Sequence, residues 1–198
     1  LYCTWDNITV TATSQVDNTV SDNASCLGHA AQPGVEVSIS PDNQENLPGG
    51  KLYYTVTVKN TGGGQDTYTL EVRDNRGWTL SLDNEITVPK GENRTTTLTV
   101  TIPDNTELYC TWDNITVTAT SQVDNTVSDN ASCLGHAAQP GVEIYVLPSE
   151  QETASGGTAT FTITVVNTGG GQDTYTLEAS DNRGWTLSLD NEITVPKG

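Results

Sequence analysis

Cysteine offers the most chemistry in this chain, because it comes in pairs. Cys3 and Cys26 are 23 positions apart, and so are Cys110 and Cys133. An even count at a repeated spacing reads as one disulfide per pair, which implies an oxidising, extracellular setting. Closing such a loop is worth about 3 kcal/mol. The competing reading is a metal site. Cys133-Leu134-Gly135-His136 has ligand-like spacing, and Cys110 could join it. That makes three ligands where zinc sites use four, so no metal is assigned. His136 and its counterpart His29 are read as exposed linker histidines.

Five asparagines open Asn-x-Ser/Thr triplets: Asn7, Asn23, Asn93, Asn114 and Asn130. On an exported, Thr-rich protein these are N-glycan acceptors, and covalent glycans would coat the surface. Asp-Asn pairs fill the turns, as at Asp42-Asn43, Asp74-Asn75 and Asp124-Asn125. Oxygen-rich turns can hold calcium, but none matches the twelve-residue calcium loop. Ordinary turn chemistry explains them, so no cofactor is assigned. Gly62-Gly63-Gly64 precedes a strand rather than a helix, so it lacks the helix terminus that cradles phosphate and is read as a flexible turn. No Gly-x-Ser-x-Gly elbow occurs, and a lone linker histidine makes no triad. The acid pairs sit in turns where nothing would perturb them. The chain is not expected to be an enzyme.

Acidic residues outnumber basic ones 25 to 8, for a net charge of -17 over 198 residues. That surface repels phosphate backbones and anionic lipid, so nucleic acid is not an expected partner. No stretch reaches the roughly 18 apolar residues of a membrane helix, so no membrane insertion is expected in this segment.

The elements that must position these residues are set by a repeat. Leu1–Glu36 recurs letter for letter as Leu108–Glu143, 107 positions on. Asn60–Gly91 recurs as Asn167–Gly198 with two changes, Val72 to Ala179 and Arg73 to Ser180. A period of this length is too long for a solenoid and suits a sandwich domain. Leu134 to Gly141 lacks alternation and carries Pro140, and is read as the linker. The expected organisation is a preceding, truncated repeat over 1–33, one complete repeat over 34–140, and the truncated start of the next over 141–198.

Apolar residues alternate with polar ones throughout, and no helical period appears. Val35, Val37 and Ile39 share a face. So do Tyr54, Val56 and Val58, then Tyr68, Leu70 and Val72, then Trp78, Leu80 and Leu82. Leu98, Val100 and Ile102 follow, then Ile115, Val117 and Ala119, with a short strand near Thr126 to Ser128. About seven strands with turns between them predict an all-β, immunoglobulin-like sandwich. Trp5 and Trp112 have outward parity and could meet sugars or a neighbouring module. Tyr145 and Leu147 stand where the first copy has Ser38 and Ser40, outward positions that could tune contact between modules.

The run from Tyr54 to Tyr68, then Gly77-Trp78-Thr79-Leu80, Val88-Pro89-Lys90-Gly91 and Ile115 to Ser121, resembles the immunoglobulin-like repeats of archaeal and bacterial surface proteins. The cell-adhesion-related bacterial domain and the β-module attached to some glycosidases share this pattern. The resemblance implies a cell-surface protein whose modules build an extracellular filament, stalk or surface layer, with neighbouring repeats or copies of itself as partners. A multivalent adhesion or carbohydrate-binding repeat, or a spacer in a larger secreted protein, is the alternative.

Overall fold

The computed structural model describes residues 2–198; Leu1, the first residue of the repeated segment, lies outside the described residues. The molecule is all-β. Strands β1 (Thr4–Thr13) and β2 (Ser21–Ala30) form an antiparallel hairpin that stands as a two-stranded sheet. Nine strands then follow within residues 35–137: β3 (Val35–Ser40), β4 (Asn43–Asn46), β5 (Lys51–Asn60), β6 (Asp66–Arg73), β7 (Thr79–Ser81), β8 (Glu85–Val88), β9 (Asn93–Thr101), β10 (Thr111–Ser121) and β11 (Ser128–Ala137). One sheet has the order β3-β5-β9-β7 and the other β4-β11-β10-β6-β8. Two further pairs complete the chain: β12 (Val142–Leu147) with β13 (Thr162–Asn167), and β14 (Asp173–Thr176) with β15 (Glu192–Val195).

The period-two pattern explains the two stacked sheets. Leu52, Tyr54, Val56 and Val58 of β5 face Leu98 and Val100 of β9 across one sheet, all buried. Tyr68, Ile115, Val117 and Ala119 close the core from the other. Burying each large apolar side chain contributes about 1.5–3 kcal/mol. Thr and Ser fill the outward positions, where their hydroxyls pair across strands: Thr67 with Thr87, and Thr116 with Ser132, each at 2.8 Å. β3 is an edge strand, and Asp129 of the opposite sheet accepts from its free Val37 N–H at 2.7 Å, which blunts that edge.

Two strands exceed the seven read from the sequence. β8 is short, and β4 (Asn-Gln-Glu-Asn) has no apolar alternation because it binds the end of β11 through backbone groups in parallel register, Leu134 opposite Asn43 through Ala137 opposite Asn46. This also corrects the linker. Leu134–Ala137 is the end of β11, not a connection, so His136 is a strand residue. Gly135 escapes the usual rule against glycine in strands because its position lies over the core. A Cβ there would meet Leu52 Cδ1 and Trp78 Cζ3 at 2.9 Å each. Only residues 138–141 connect β11 to β12.

Candidate functional site

The richest polar constellation lies where β11 hands over to β12. Glu45 on β4 is brought beside β11 by the parallel pairing, directly opposite His136. Its Oε2 lies 2.9 Å from His136 Nδ1, and its Oε1 accepts from Lys197 Nζ at 2.7 Å. Lys197 follows β15, so one carboxylate ties the sandwich of residues 35–137 to the strands that come after it. The Lys197 ammonium first, and His136 second, hold the Glu45 carboxyl below its usual value. The His136 ring stacks on Trp112 at 4.2 Å between centroids and 13° between planes. Trp112, Asn43, Gln44, Glu45 and Lys197 line a shallow groove along the seam.

Backbone close to backbone completes the junction. Gly169-Gly170-Gly171, the counterpart of Gly62-Gly63-Gly64, folds onto the connection. A Cβ on Gly170 would stand 2.0 Å from Ala138 Cβ, and one on Gly169 would stand 3.0 Å from Pro140 Cα. Gly170 N–H donates to Gln139 C=O at 3.2 Å. Asn167, buried at the end of β13, clips the loop from beneath: its Nδ2 donates to the Gly171 and Val195 carbonyls at 2.7 and 3.1 Å, and its Oδ1 accepts from Gly169 N–H at 2.8 Å. Asn60 makes the same three bonds beside Gly62 and Gly64. The triple glycine is thus a packed docking loop, not the flexible turn read from the sequence. Its signal was the run of three residues without side chains beside a Pro-containing connection.

The cysteines do not pair. All four are free thiols, and strand register gives the reason. Cys133 stands opposite Ile115, while Cys110 precedes the first residue of β10, five positions further along. Five strand residues span about 16 Å, whereas a disulfide needs Cα atoms within about 7 Å. The same register separates Cys3 from Cys26, which faces Ile8. The metal alternative fails on the same ground: Cys133 points into the core, and His136 has outward parity. Among the described residues no group of three His, Cys, Asp or Glu stands together as a metal site. Burial, and the Asp113 charge after it, push the Cys133 thiol up to about 12.

One acid departs from the expectation that all lie in exposed turns. Because Trp112 faces outward, Asp113 must face inward, and it is fully buried. Its Oδ1 accepts from Asn75 N–H at 3.1 Å, and its Oδ2 has no partner. Burial first, and the Asp74 carboxyl second among the raising influences, lift it to about 6. Asp74 in turn accepts from Trp78 N–H at 2.6 Å, and Asn75 Oδ1 from Asn114 N–H at 3.1 Å, so the 74–78 loop is stitched to the start of β10. Closed off from solvent, Asp113 has no access to a substrate.

The remaining candidates lie outside the core. Asn114 and Asn130 are exposed and share the outward face of the β10–β11 hairpin; Asn93 is exposed at the start of β9. Asn7 and Asn23 hold the matching places on β1–β2, where Trp5 stacks on His29 at 4.2 Å. Tyr145 and Leu147 are exposed on β12, and Tyr145 Oη donates to Glu143 Oε2 at 2.6 Å.

Residues 35–134, half of the chain, match the family model described as a VWA7 Ig-like domain. No curated protein matches the sequence. Among solved structures, a FixG-related protein from Vibrio parahaemolyticus is 16% identical, with 52% of this chain and 94% of that chain covered and a TM-score of 0.40. PapD-like domain 7 of human CEP192 is 9% identical, with 50% and 81% covered and a TM-score of 0.34. A chaperone–tip adhesin complex of CFA/I fimbriae biogenesis is 10% identical, with 82% of each chain covered and a TM-score of 0.34. Each is a likeness of fold.

Proposed function

The chain belongs to the VWA7 Ig-like domain family, and from that premise we propose that it is a structural building block of an extracellular filament, stalk or surface layer made of tandem modules. An Ig-like β domain fits a structural or adhesion-type module. The observation that carries the finer reading is the junction. A connection of four residues, a glycine loop pressed against it and the Glu45–Lys197 bridge hold two consecutive modules in one relative orientation. A chain of modules fixed in this way is a stiff rod, not beads on a flexible string. The reading has no catalytic role, and its kinship lies with the repeats of archaeal and bacterial surface proteins. The outward Thr-rich faces and exposed Asn93, Asn114 and Asn130 support a glycan-coated exterior at the cell surface.

Electron cryo-microscopy of the native material tests it. Long continuous filaments with an axial repeat of one or two modules are the expected result. Rods that end in a distinct globular tip would make the modules a stalk and move the function to the tip.

A second reading, carbohydrate adhesion, is favoured by one observation. Trp112 is half exposed, its ring braced by His136, in a groove beside Asn43, Gln44 and Glu45. An aromatic platform with amide and carboxylate neighbours is how proteins hold sugar rings. Titration with oligosaccharides while following Trp fluorescence, with W112A as control, separates this reading from the first.

A further inference from the structure

One Asn-x-Thr triplet of the complete sandwich differs from the other two. Trp112, Asn114 and Thr116 are alternate residues of β10, so one face of one strand carries an aromatic ring, an acceptor amide and the threonine of the triplet. Alternate strand residues lie about 6.7 Å apart. Trp112 and Asn114 are exposed, while Asp113 and Ile115 point into the core. The 74–78 loop fixes the backbone here. Asn75 Oδ1 accepts from Asn114 N–H, and Arg76 Nε donates to Trp112 C=O, each at 3.1 Å. The Asn114 side-chain amide is left without a hydrogen bond among the described residues. Opposite it on β11 stands Leu134, also exposed. Asn130 faces Thr118 and Asn93 faces Lys59, and neither has an aromatic residue two places away on its strand.

The exposure of this face does not depend on what precedes or follows along the chain, because the hairpin occurs twice. β1–β2 repeats β10–β11 in sequence and register, with Trp5 opposite His29 as Trp112 is opposite His136. The two connections are also built alike. A Cβ on Gly62 would stand 2.8 Å from Gly34 N, and one on Gly169 would stand 2.8 Å from Gly141 N. Tyr68 Oη donates to Gly34 C=O at 2.8 Å, and Tyr175 Oη to Gly141 C=O at 2.9 Å. Trp112 therefore shows what the hairpin's own complete sandwich covers, and Trp5 shows what a complete following sandwich covers. Trp112 is 49% exposed and Trp5 is 66% exposed, so neither sandwich closes the ring off. His136, stacked on one face of the Trp112 indole, holds the ring in place and leaves the rest of it open.

We propose that Asn114 carries an N-glycan whose first sugar folds back onto Trp112, so that the aromatic platform is filled by the protein's own carbohydrate. The donor is an oligosaccharide held on a lipid phosphate or pyrophosphate. Asn114 Nδ2 bonds to the anomeric carbon, the bond from that carbon to the phosphate oxygen breaks, the lipid phosphate leaves with the electron pair, and the amide gives up one proton. A hexose ring is about as wide as the spacing between the two side chains. Its apolar C–H face can then lie against the indole, a contact of the kind that aromatic rings make with about 0.5–1.5 kcal/mol beyond area burial. Leu134 extends the apolar floor beneath it. The glycans of Asn93 and Asn130 have no such floor and stand free in solvent. Filled in this way, Trp112 is not an open site for sugars from outside, which favours the structural reading over adhesion. The proposal rests on the glycan-coated exterior.

The 198-residue chain, secreted from a host that transfers N-glycans and carrying Asn7→Gln to silence the twin site, tests the proposal. Glycopeptide mass spectrometry should find sugar on Asn114. In proton NMR spectra the first sugar's ring protons should be shifted upfield by the indole ring current, and Trp112→Ala should return them to the positions of the Asn93 and Asn130 sugars. Melting separates this contact from loss of the His136 stack. Trp112→Ala should lower Tm by at least about 3 °C more in the glycosylated chain than in an Asn114→Gln background. Trp112→Phe should keep most of that difference. An unmodified Asn114 beside a glycosylated Asn93 or Asn130 overturns the proposal. So does a glycan on Asn114 with unshifted ring protons, or an equal cost of W112A with and without the sugar. Each of these leaves the glycan-coated exterior standing, whereas sugar at no site overturns both. Filament imaging judges the structural reading separately.

Discussion

Lys197 Nζ, just after β15, donates to Glu45 Oε1 on β4 at 2.7 Å, joining residues 152 positions apart. The depressed Glu45 carboxyl makes this contact pH-dependent, with Lys197 the larger cause and His136 the smaller. A depressed acid contributes above its ordinary value of 4.5 and loses the contribution as pH falls through the depressed one. Both side chains are partly exposed, so the bridge is worth at most about 1 kcal/mol. Small-angle scattering of the chain should therefore show a straight rod at neutral pH and a looser one in acid. Glu45→Gln should look loose at both, and a response to acid that survives in E45Q would reject the assignment.

Gly170 offers a test of the same junction that involves no charge. A Cβ there would lie 2.0 Å from Ala138 Cβ. Gly170→Ala must therefore push the connection away from the loop, at about 1–3 kcal/mol, the usual cost of overpacking. After Ala138, which lies just past β11, that Cβ would next meet the Glu45 carboxyl carbon at 3.5 Å, an ordinary contact, so no core side chain is disturbed. We expect an unchanged main melting transition and a changed angle past residue 137 that is the same at low and high salt, whereas an orientation held by the Glu45 bridge would relax as salt screens it.

Asp113 is raised to about 6 by burial and by Asp74. An acid whose folded value lies above its unfolded 3.8 binds its proton more tightly in the folded state, so stability falls as pH rises from about 4 to about 6 and is flat above. Asp113→Asn keeps an acceptor for the Asn75 N–H and removes the charge. It should stabilise the protein by about 1–2 kcal/mol at neutral pH, after allowance for screening, and flatten the acid limb of the melting curve. A D113N variant less stable than the parent at pH 7 would show that the carboxylate is needed in its charged form.

The sheets and core were legible because alternation over β3, β5, β6, β9 and β10 leaves one choice of buried face. Tyr54, Val56 and Val58 lie where the pattern puts them. The register of the β10–β11 hairpin was legible too. A turn near Asp124 already sets Cys110 apart from Cys133, because equal spacing in sequence is not proximity in space. Asp113 was not read as buried, although its inward side follows from the outward parity of Trp112 next to it. β4 was not legible, because four polar residues bound only through their backbone leave no pattern. Nor was the junction, because Glu45, His136 and Lys197 are each unremarkable in their own segments and meet only when the parallel β4–β11 pairing and the chain's return through β15 bring them together.

The thiols give the sharpest check on that corrected register. Cys3, Cys26 and Cys110 are exposed, while Cys133 is buried against the core. Its thiol is raised from 9.0 to about 12, first by desolvation and then by the Asp113 charge. The thiolate fraction is therefore lower by about 10³, before any hindrance from burial is counted. In dilute, non-reduced protein, a disulfide-exchange reagent should titrate three thiols quickly and the fourth only on the timescale of unfolding. Denatured, non-reduced protein should titrate four. Peptide mapping that instead recovers Cys110 linked to Cys133 would require β10 and β11 to slip by five residues. Such a slip would turn Ile115 and Val117, now wholly buried, out of the core. Asp113→Asn should speed the Cys133 reaction, since one of the two influences holding its proton is then gone.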